Sequence, residues 1–195
     1  MRITGGEFRG RILAVPKSGA IRPTQDRVRE ALFSMLAPEL PDADVLDLFA
    51  GTGAVGLEAV SRGARRATFV ETDRRHVSTL RANVETLGAA GRVDVVVADA
   101  YRWIGSYSGP GFSIAFADPP YALGEERGYA SVLDTLARCG VVREGGLFVA
   151  EMTAVQRAEE TPGWELLRDR TYGKTRICVW RALKRDRDIE SRSAT

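Results

Sequence analysis

From Asp44 onward, short and largely apolar runs alternate with segments whose apolar residues return every three or four positions. Residues 45–49, 67–71, 93–98, 113–117 and 147–151 are compact runs of the first kind, as expected of strands covered on both faces. Residues 54–62, 74–87 and 129–137 read as helices between them. Val77, Leu80, Val84 and Leu87 share one face of the second, and Gly63 and Gly88 stop the first two. Residues 164–170 and 175–181 flank Thr171-Tyr172-Gly173-Lys174 and predict an antiparallel hairpin at the sheet edge. Strand and helix in alternation predict an α/β fold built on a mostly parallel sheet.

The pattern ahead of Asp44 is different. Residues 1–23 are rich in Gly, Arg and Pro, with a β-like piece at 11–15. A helix is predicted from about Thr24, its N-cap, with Val28, Ala31, Leu32, Met35 and Leu36 as the apolar stripe. Arg27, Arg29 and Glu30 fall off that stripe and are expected to face solvent or a ligand. The organisation expected is a small basic β-rich extension at 1–23, one main domain at 24–183, and a polar, disordered tail at 184–195.

Composition sharpens this picture in a few places. With 44% hydrophobic and 28% charged residues, the chain can bury a sizeable core under a solvated surface. No apolar run approaches the roughly 20 residues of a membrane span, and the first residues lack the apolar stretch of a leader. Cys139 and Cys178 are spaced neither for a metal site nor for a disulfide framework, so a reducing, cytoplasmic setting is expected. The net charge of +2 hides an uneven distribution. Arg2, Arg9, Arg11, Lys17 and Arg22 crowd the start of the chain, which points to an anionic partner or to a solvated basic surface.

Chemistry concentrates where the fourth apolar run ends, at Asp118-Pro119-Pro120-Tyr121. Each proline fixes φ and removes an N–H donor, and a residue before proline is held extended. Asp118, the loop carbonyls and the Tyr121 ring are therefore held at the carboxyl end of a strand. Acceptors beside a flat aromatic suit a planar ring with an exocyclic amino group, a nucleobase.

A second constellation precedes it. Gly51, Gly53 and Gly56 fit GxGxxG between a strand and a helix, and Glu71 ends the next strand, where a carboxylate can accept ribose hydroxyls. Alone, this pattern serves NAD and other adenosine cofactors alike. Asp47, inside the first strand, suits a cationic amino group or is a buried, hydrogen-bonded carboxylate. Asp99, before Ala100, can accept from an adenine amino group or cap a helix. Read in order, these residues describe S-adenosylmethionine.

Asp47-Leu48-Phe49-Ala50-Gly51-Thr52-Gly53 resembles the first motif of class I S-adenosylmethionine-dependent methyltransferases. Asp118–Tyr121 resembles the (Asp/Asn)-Pro-Pro-(Tyr/Phe) motif of those that methylate amino nitrogens of bases. Residues 2–6, Gly10-Arg11 and residues 22–33 are similar to the bacterial 16S ribosomal RNA guanine-N2 methyltransferases of the RsmD type, with Ser34 where that family usually has Asn. The resemblance implies a Rossmann-like class I methyltransferase fold, whose seven strands here would be the five runs and the hairpin. It implies S-adenosylmethionine held by Asp47, Phe49, Gly51, Gly53, Glu71, Asp99 and Ala100, with Asp118, Pro119, Pro120 and Tyr121 as the catalytic loop. It also implies 16S ribosomal RNA as partner, within the small subunit or an assembly intermediate, with no obligate protein partner. Arg2, Arg9, Arg11, Lys17, Arg22 and Lys174 are the candidate phosphate contacts. Competing readings are a DNA amino-methyltransferase acting on adenine N6 or cytosine N4, an NAD-dependent oxidoreductase, and a silent RNA-binding assembly factor.

Overall fold

The computed structural model describes residues 1–15, 23–119, 121–158 and 160–184, without the side chains of 23–25 and 121–128. The site predictions at Lys17, Arg22 and Pro120, and all but the first residue of the disordered tail predicted at 184–195, lie outside the described residues, as does the side chain of Tyr121.

In chain order the elements are α1 (Pro23–Leu36), β1 (Asp44–Leu48), α2 (Ala54–Ser61), β2 (Arg66–Glu71), α3 (Arg74–Leu87), β3 (Val93–Val97) and α4 (Ala100–Ser106). They continue with β4 (Phe112–Ala117), α5 (Tyr121–Arg138), β5 (Val142–Thr153), β6 (Trp164–Tyr172) and β7 (Thr175–Ala182). The strands form one seven-stranded sheet in the order β3-β2-β1-β4-β5-β7-β6. From β3 to β5 all neighbours are parallel; β7 runs antiparallel to both β5 and β6. The predicted hairpin is therefore present, with β7 turned inward and β6 left as the edge. Both faces are covered, which is why β4 is buried at every position despite lacking any alternation. One core gathers Phe33, Leu57, Phe69, Leu80 and Phe116; the other gathers Phe148, Trp164 and Trp180 with residues of α4 and α5.

Several expectations need correction. Residues 1–15 hold one isolated bridge, Arg2↔Ile12, and no strand, so the described part is not β-rich. It is also not peripheral: Ile3, Phe8 and Leu13 are core residues. The first helix starts at Pro23, which places Thr24 inside the first turn instead of at the cap. Arg29 does not face solvent; at 7% exposure it donates to Glu58 Oε2 at 3.1 Å and to Asp26 Oδ1 at 2.9 Å, and also to the Arg2 carbonyl. Glu58 is fully buried and further receives Arg62 Nε and the Thr4 N–H, each at 2.9 Å. An ion pair placed under the N-terminal segment thus overrides the helix's apolar stripe. Helix α5 begins eight residues before the predicted start at Tyr129, since 129 − 121 = 8. Among the described residues no helix is long and apolar enough to cross a membrane.

Candidate active site

Strand order reverses between β1 and β4, so the loops leaving their carboxyl ends diverge and open a cleft. Register places the key residues in one transverse row. Val70, Leu48, Ala117 and Ala150 are aligned across β2, β1, β4 and β5. The next residue on each strand is Glu71, Phe49, Asp118 and Glu151. Sequence reading named three of these and missed Glu151. An acidic residue ending the strand beside the Asp118 strand was the signal available.

The glycine loop is tied down from two sides. Asp47 Oδ2 accepts the Gly56 N–H at 2.8 Å from inside the sheet. Glu71 Oε2 accepts the Gly51 N–H at 2.7 Å, while its Oε1 takes the N–H groups of Thr72 and Asp73, both at 2.8 Å. Three of about four acceptor positions on Glu71 are thus used, and the His76 ring nitrogen Nδ1 lies 3.9 Å from Oε2. Gly53 has φ +81° and caps α2; a Cβ there would lie 2.1 Å from Leu80 Cδ1. Gly51 has φ +55° and no atom within 4 Å of where a Cβ would stand, so its bare backbone fronts open space. Phe49 also lies in the left-handed region, at φ +60°, a costly conformation for an aromatic residue. Its ring meets Tyr101 edge-on at 5.4 Å. Asp99 caps α4 by accepting the Arg102 N–H at 2.9 Å through Oδ1, and Ala100 is buried behind it.

Asp47, Asp118 and Glu151 do not titrate as ordinary carboxylates. Burial raises Asp47 to about 7, against the lowering effect of the Gly56 N–H and with a further rise from Glu71. Asp118 is open to water at the cleft floor, yet crowded by protein atoms. That desolvation, then the like charges of Glu151 and Asp47, lift it well above the ordinary carboxylate range. Glu151 is raised too, by burial, with Arg29 and a hydrogen bond from Thr175 opposing. The Tyr129 hydroxyl donates to the Glu151 carbonyl at 2.6 Å and is pushed upward by burial and by Asp118. Perturbed carboxylates gathered at a strand-end cleft mark a chemical site.

The basic residues are not brought together. Lys174 sits in the β6–β7 turn beside the carboxyl end of β5, where its carbonyl accepts the Ala154 N–H. Arg2 pairs with Asp26 in the first turn of α1 at 3.9 Å. Arg11 lies at the far end of the sheet, donating to the Thr86 carbonyl in the last turn of α3. Arg9 lies near it, next to Phe8, whose N–H donates to Ser61 at the end of α2.

A parallel sheet with this switch point, a glycine loop after β1, a carboxylate ending β2 and an antiparallel β7 between β5 and β6 defines a class I methyltransferase fold. The family described as "Conserved hypothetical protein 95" matches residues 1–181, and the chain belongs to it. The chain is 39% identical to the ribosomal RNA small subunit methyltransferase D of Escherichia coli (strain K12) over 194 residues, which covers 98% of this chain and 93% of the relative. It is 33% identical to a putative rRNA methyltransferase of Bacillus subtilis (strain 168), covering 93% of this chain and 98% of that one. The solved structure of a putative methyltransferase from Escherichia coli superposes with a TM-score of 0.83 at 37% identity, covering 95% of this chain and 99% of the other.

Proposed function

We propose that the protein transfers a methyl group from S-adenosylmethionine to the exocyclic N2 amino group of a guanine in 16S ribosomal RNA of the small subunit. The observation that carries this reading is the seat of Asp118 and Pro119, at the end of β4 and directly beside the glycine loop. The cleft residues fit the cofactor: Gly51 leaves open space where a side chain would stand, and Glu71 and Asp99 each keep acceptor capacity. Glu71 would hold the ribose, Asp99 the adenine amino group, and Phe49 would pack on the cofactor near the reacting end.

When bound, the cofactor supplies a methyl carbon activated by a positively charged sulfur. The protein's task is alignment of a poor nucleophile, because the guanine amino lone pair is delocalised into the ring. The Asp118 carboxylate and the Pro119 carbonyl would accept the two N–H bonds, which localises the lone pair and aims it. Positioning of this kind contributes up to roughly 7–11 kcal/mol. As the N–C bond formed and the methyl carbon's bond to sulfur broke, leaving a neutral thioether, the departing proton would be received at the Asp118 carboxylate, whose raised affinity for protons suits it to the task, and pass on to water. Tyr121 is assigned the stacking face for a base taken out of its helix or loop, worth about 1–3 kcal/mol.

RNA is preferred over DNA because the similar curated proteins are named for small-subunit ribosomal RNA. The decisive experiment incubates the protein with labelled S-adenosylmethionine and small subunits from a strain lacking it, then maps the label by mass spectrometry. Label at N2 of one guanine is expected. Label on an adenine, or on no RNA, overturns the reading.

A further inference from the structure

We propose that Glu151 accepts the N1–H of the target guanine and so selects guanine over adenine and cytosine; the inference rests on the amino-methyl transfer proposed above. Asp118 and Glu151 follow the paired residues Ala117 and Ala150 on neighbouring parallel strands. Equivalent positions on such strands project to the same face, about 4.8 Å apart. Two acceptors therefore stand side by side at the cleft, and the mechanism uses only one.

The second is held for a purpose. The Tyr129 hydroxyl pins the Glu151 main chain from α5 at 2.6 Å. Thr175, on β7, and Arg29, on α1, both favour the charged form of its side chain. Three elements thus bear on Glu151, one through its main chain and two through its charge, although the residue is only partly buried. Two adjacent carboxyl groups at the cleft, each able to accept, suit a ligand that brings adjacent donors.

Guanine alone among the amino-bearing bases meets that demand. Its Watson–Crick edge carries N1–H next to the N2 amino group. Adenine and cytosine place an unprotonated ring nitrogen beside their amino groups, and that lone pair would face Glu151. Rejection of the wrong edge by an unpaired acceptor is a strong form of discrimination.

The test replaces the target guanine by 2-aminopurine in 16S RNA assembled into small subunits. The analogue keeps the 2-amino group and lacks N1–H. Wild type should prefer guanine by roughly 10- to 100-fold in kcat/KM, the value of one charge-assisted hydrogen bond. Glu151→Ala should reduce that preference to within about threefold, and Glu151→Gln, whose amide oxygen still accepts, should retain part of it. The ratio between two substrates is independent of the fraction of each variant that folds, and comparison with wild type cancels the analogue's intrinsic reactivity. An unchanged ratio in Glu151→Ala overturns the assignment. Failure of the underlying reading looks different: wild type then labels no guanine at all.

Discussion

A carboxylate with 4% exposure and a single backbone donor is a costly way to hold a loop, and Asp47 shows the cost in its pKa of about 7, against an ordinary value of 3.8. Between those two values the folded chain keeps a proton that the unfolded chain has lost. Stability contributed by this residue is therefore greatest in acid and falls as pH rises toward 7. Asp47→Asn keeps an oxygen for the Gly56 N–H and has no proton to lose. Its stability relative to wild type should rise by roughly 2–3 kcal/mol between about pH 5 and pH 8, read from urea unfolding at both. The glycines of the same loop should separate two roles. Gly53→Ala would drive a Cβ to 2.1 Å from Leu80 and should damage folding. Gly51→Ala meets no atom within 4 Å, so it should cost only about 1–2 kcal/mol of backbone strain while weakening S-adenosylmethionine binding by about tenfold or more, measured calorimetrically. Asp118→Ala should lower methyl transfer by roughly 10²–10⁴-fold with cofactor affinity changed less than about threefold. A collapse of cofactor affinity would mean the loop has been misassigned. In wild type, transfer should rise with pH through a group above the ordinary carboxylate range, because Asp118 must be ionised to accept.

Among the elements, the N-terminal segment has the least obvious anchorage. Thr4 is bound to Glu58, Ser61 donates to the Gly5 carbonyl at 2.6 Å, and Asn83 Oδ1 accepts the Ala14 N–H at 2.7 Å. All of these attach residues 1–15 to α2 and α3, around the buried Arg29–Glu58–Arg62 group. Removing one partner of such a group leaves buried charge without compensation. Glu58→Ala should cost about 3–5 kcal/mol and should strip hydrogen-exchange protection from the Thr4 and Phe8 amides first. Equal loss of protection across the whole sheet would show instead that the segment and the core open together. The same contrast explains what was legible in the chain. Helix α3 matched its predicted span because its apolar period is unbroken and Gly88 closes it; the Asp73 cap emerges only in the structure. Helix α4 shows no apolar period because it buries only Ala100 and Ile104, so Asp99 as a candidate cap is its one signal. The start of α5 was hidden by Gly124, Gly128 and the charged residues between them. Strand β5 begins at Val142, five residues before its predicted start (147 − 142 = 5), because Gly145 and Gly146 read as a turn. For the site, spacing revealed Gly51, Glu71 and Asp118. Glu151 shows in the chain only as an acidic residue ending a predicted strand; its place beside Asp118 depends on strand order, and the burial of Arg29 on what packs over α1.

At the scale of the molecule, the question is where a large polyanion would lie. A basic N-terminal extension reads from sequence as a detachable RNA arm, yet Ile3, Phe8 and Leu13 belong to the core. Deleting residues 1–20 would therefore unfold the anchor as well as remove charge, and could not isolate an RNA role. Charge substitution can. Lys174 stands in the turn that joins β6 and β7, at the carboxyl end of β5 where Glu151 lies. Arg9 sits toward the opposite end of the sheet, near the last turns of α2 and α3. If a base enters the cleft as proposed, its own phosphates would run past the β6–β7 turn and leave the far end of the sheet untouched. Removing a cation that neutralises one phosphate should reduce the slope of log affinity against log salt by about 0.7–0.9. Lys174→Ala should thus flatten the salt dependence of RNA binding by one such step and weaken binding at low salt, with S-adenosylmethionine affinity unchanged. Arg9→Ala should leave the slope as it is. Filter binding to small-subunit RNA over a series of salt concentrations reads both variants at once. A slope lowered by Arg9→Ala and not by Lys174→Ala would move the RNA to the far end of the sheet, away from the cleft. The catalytic reading would then have to explain how the base reaches Asp118.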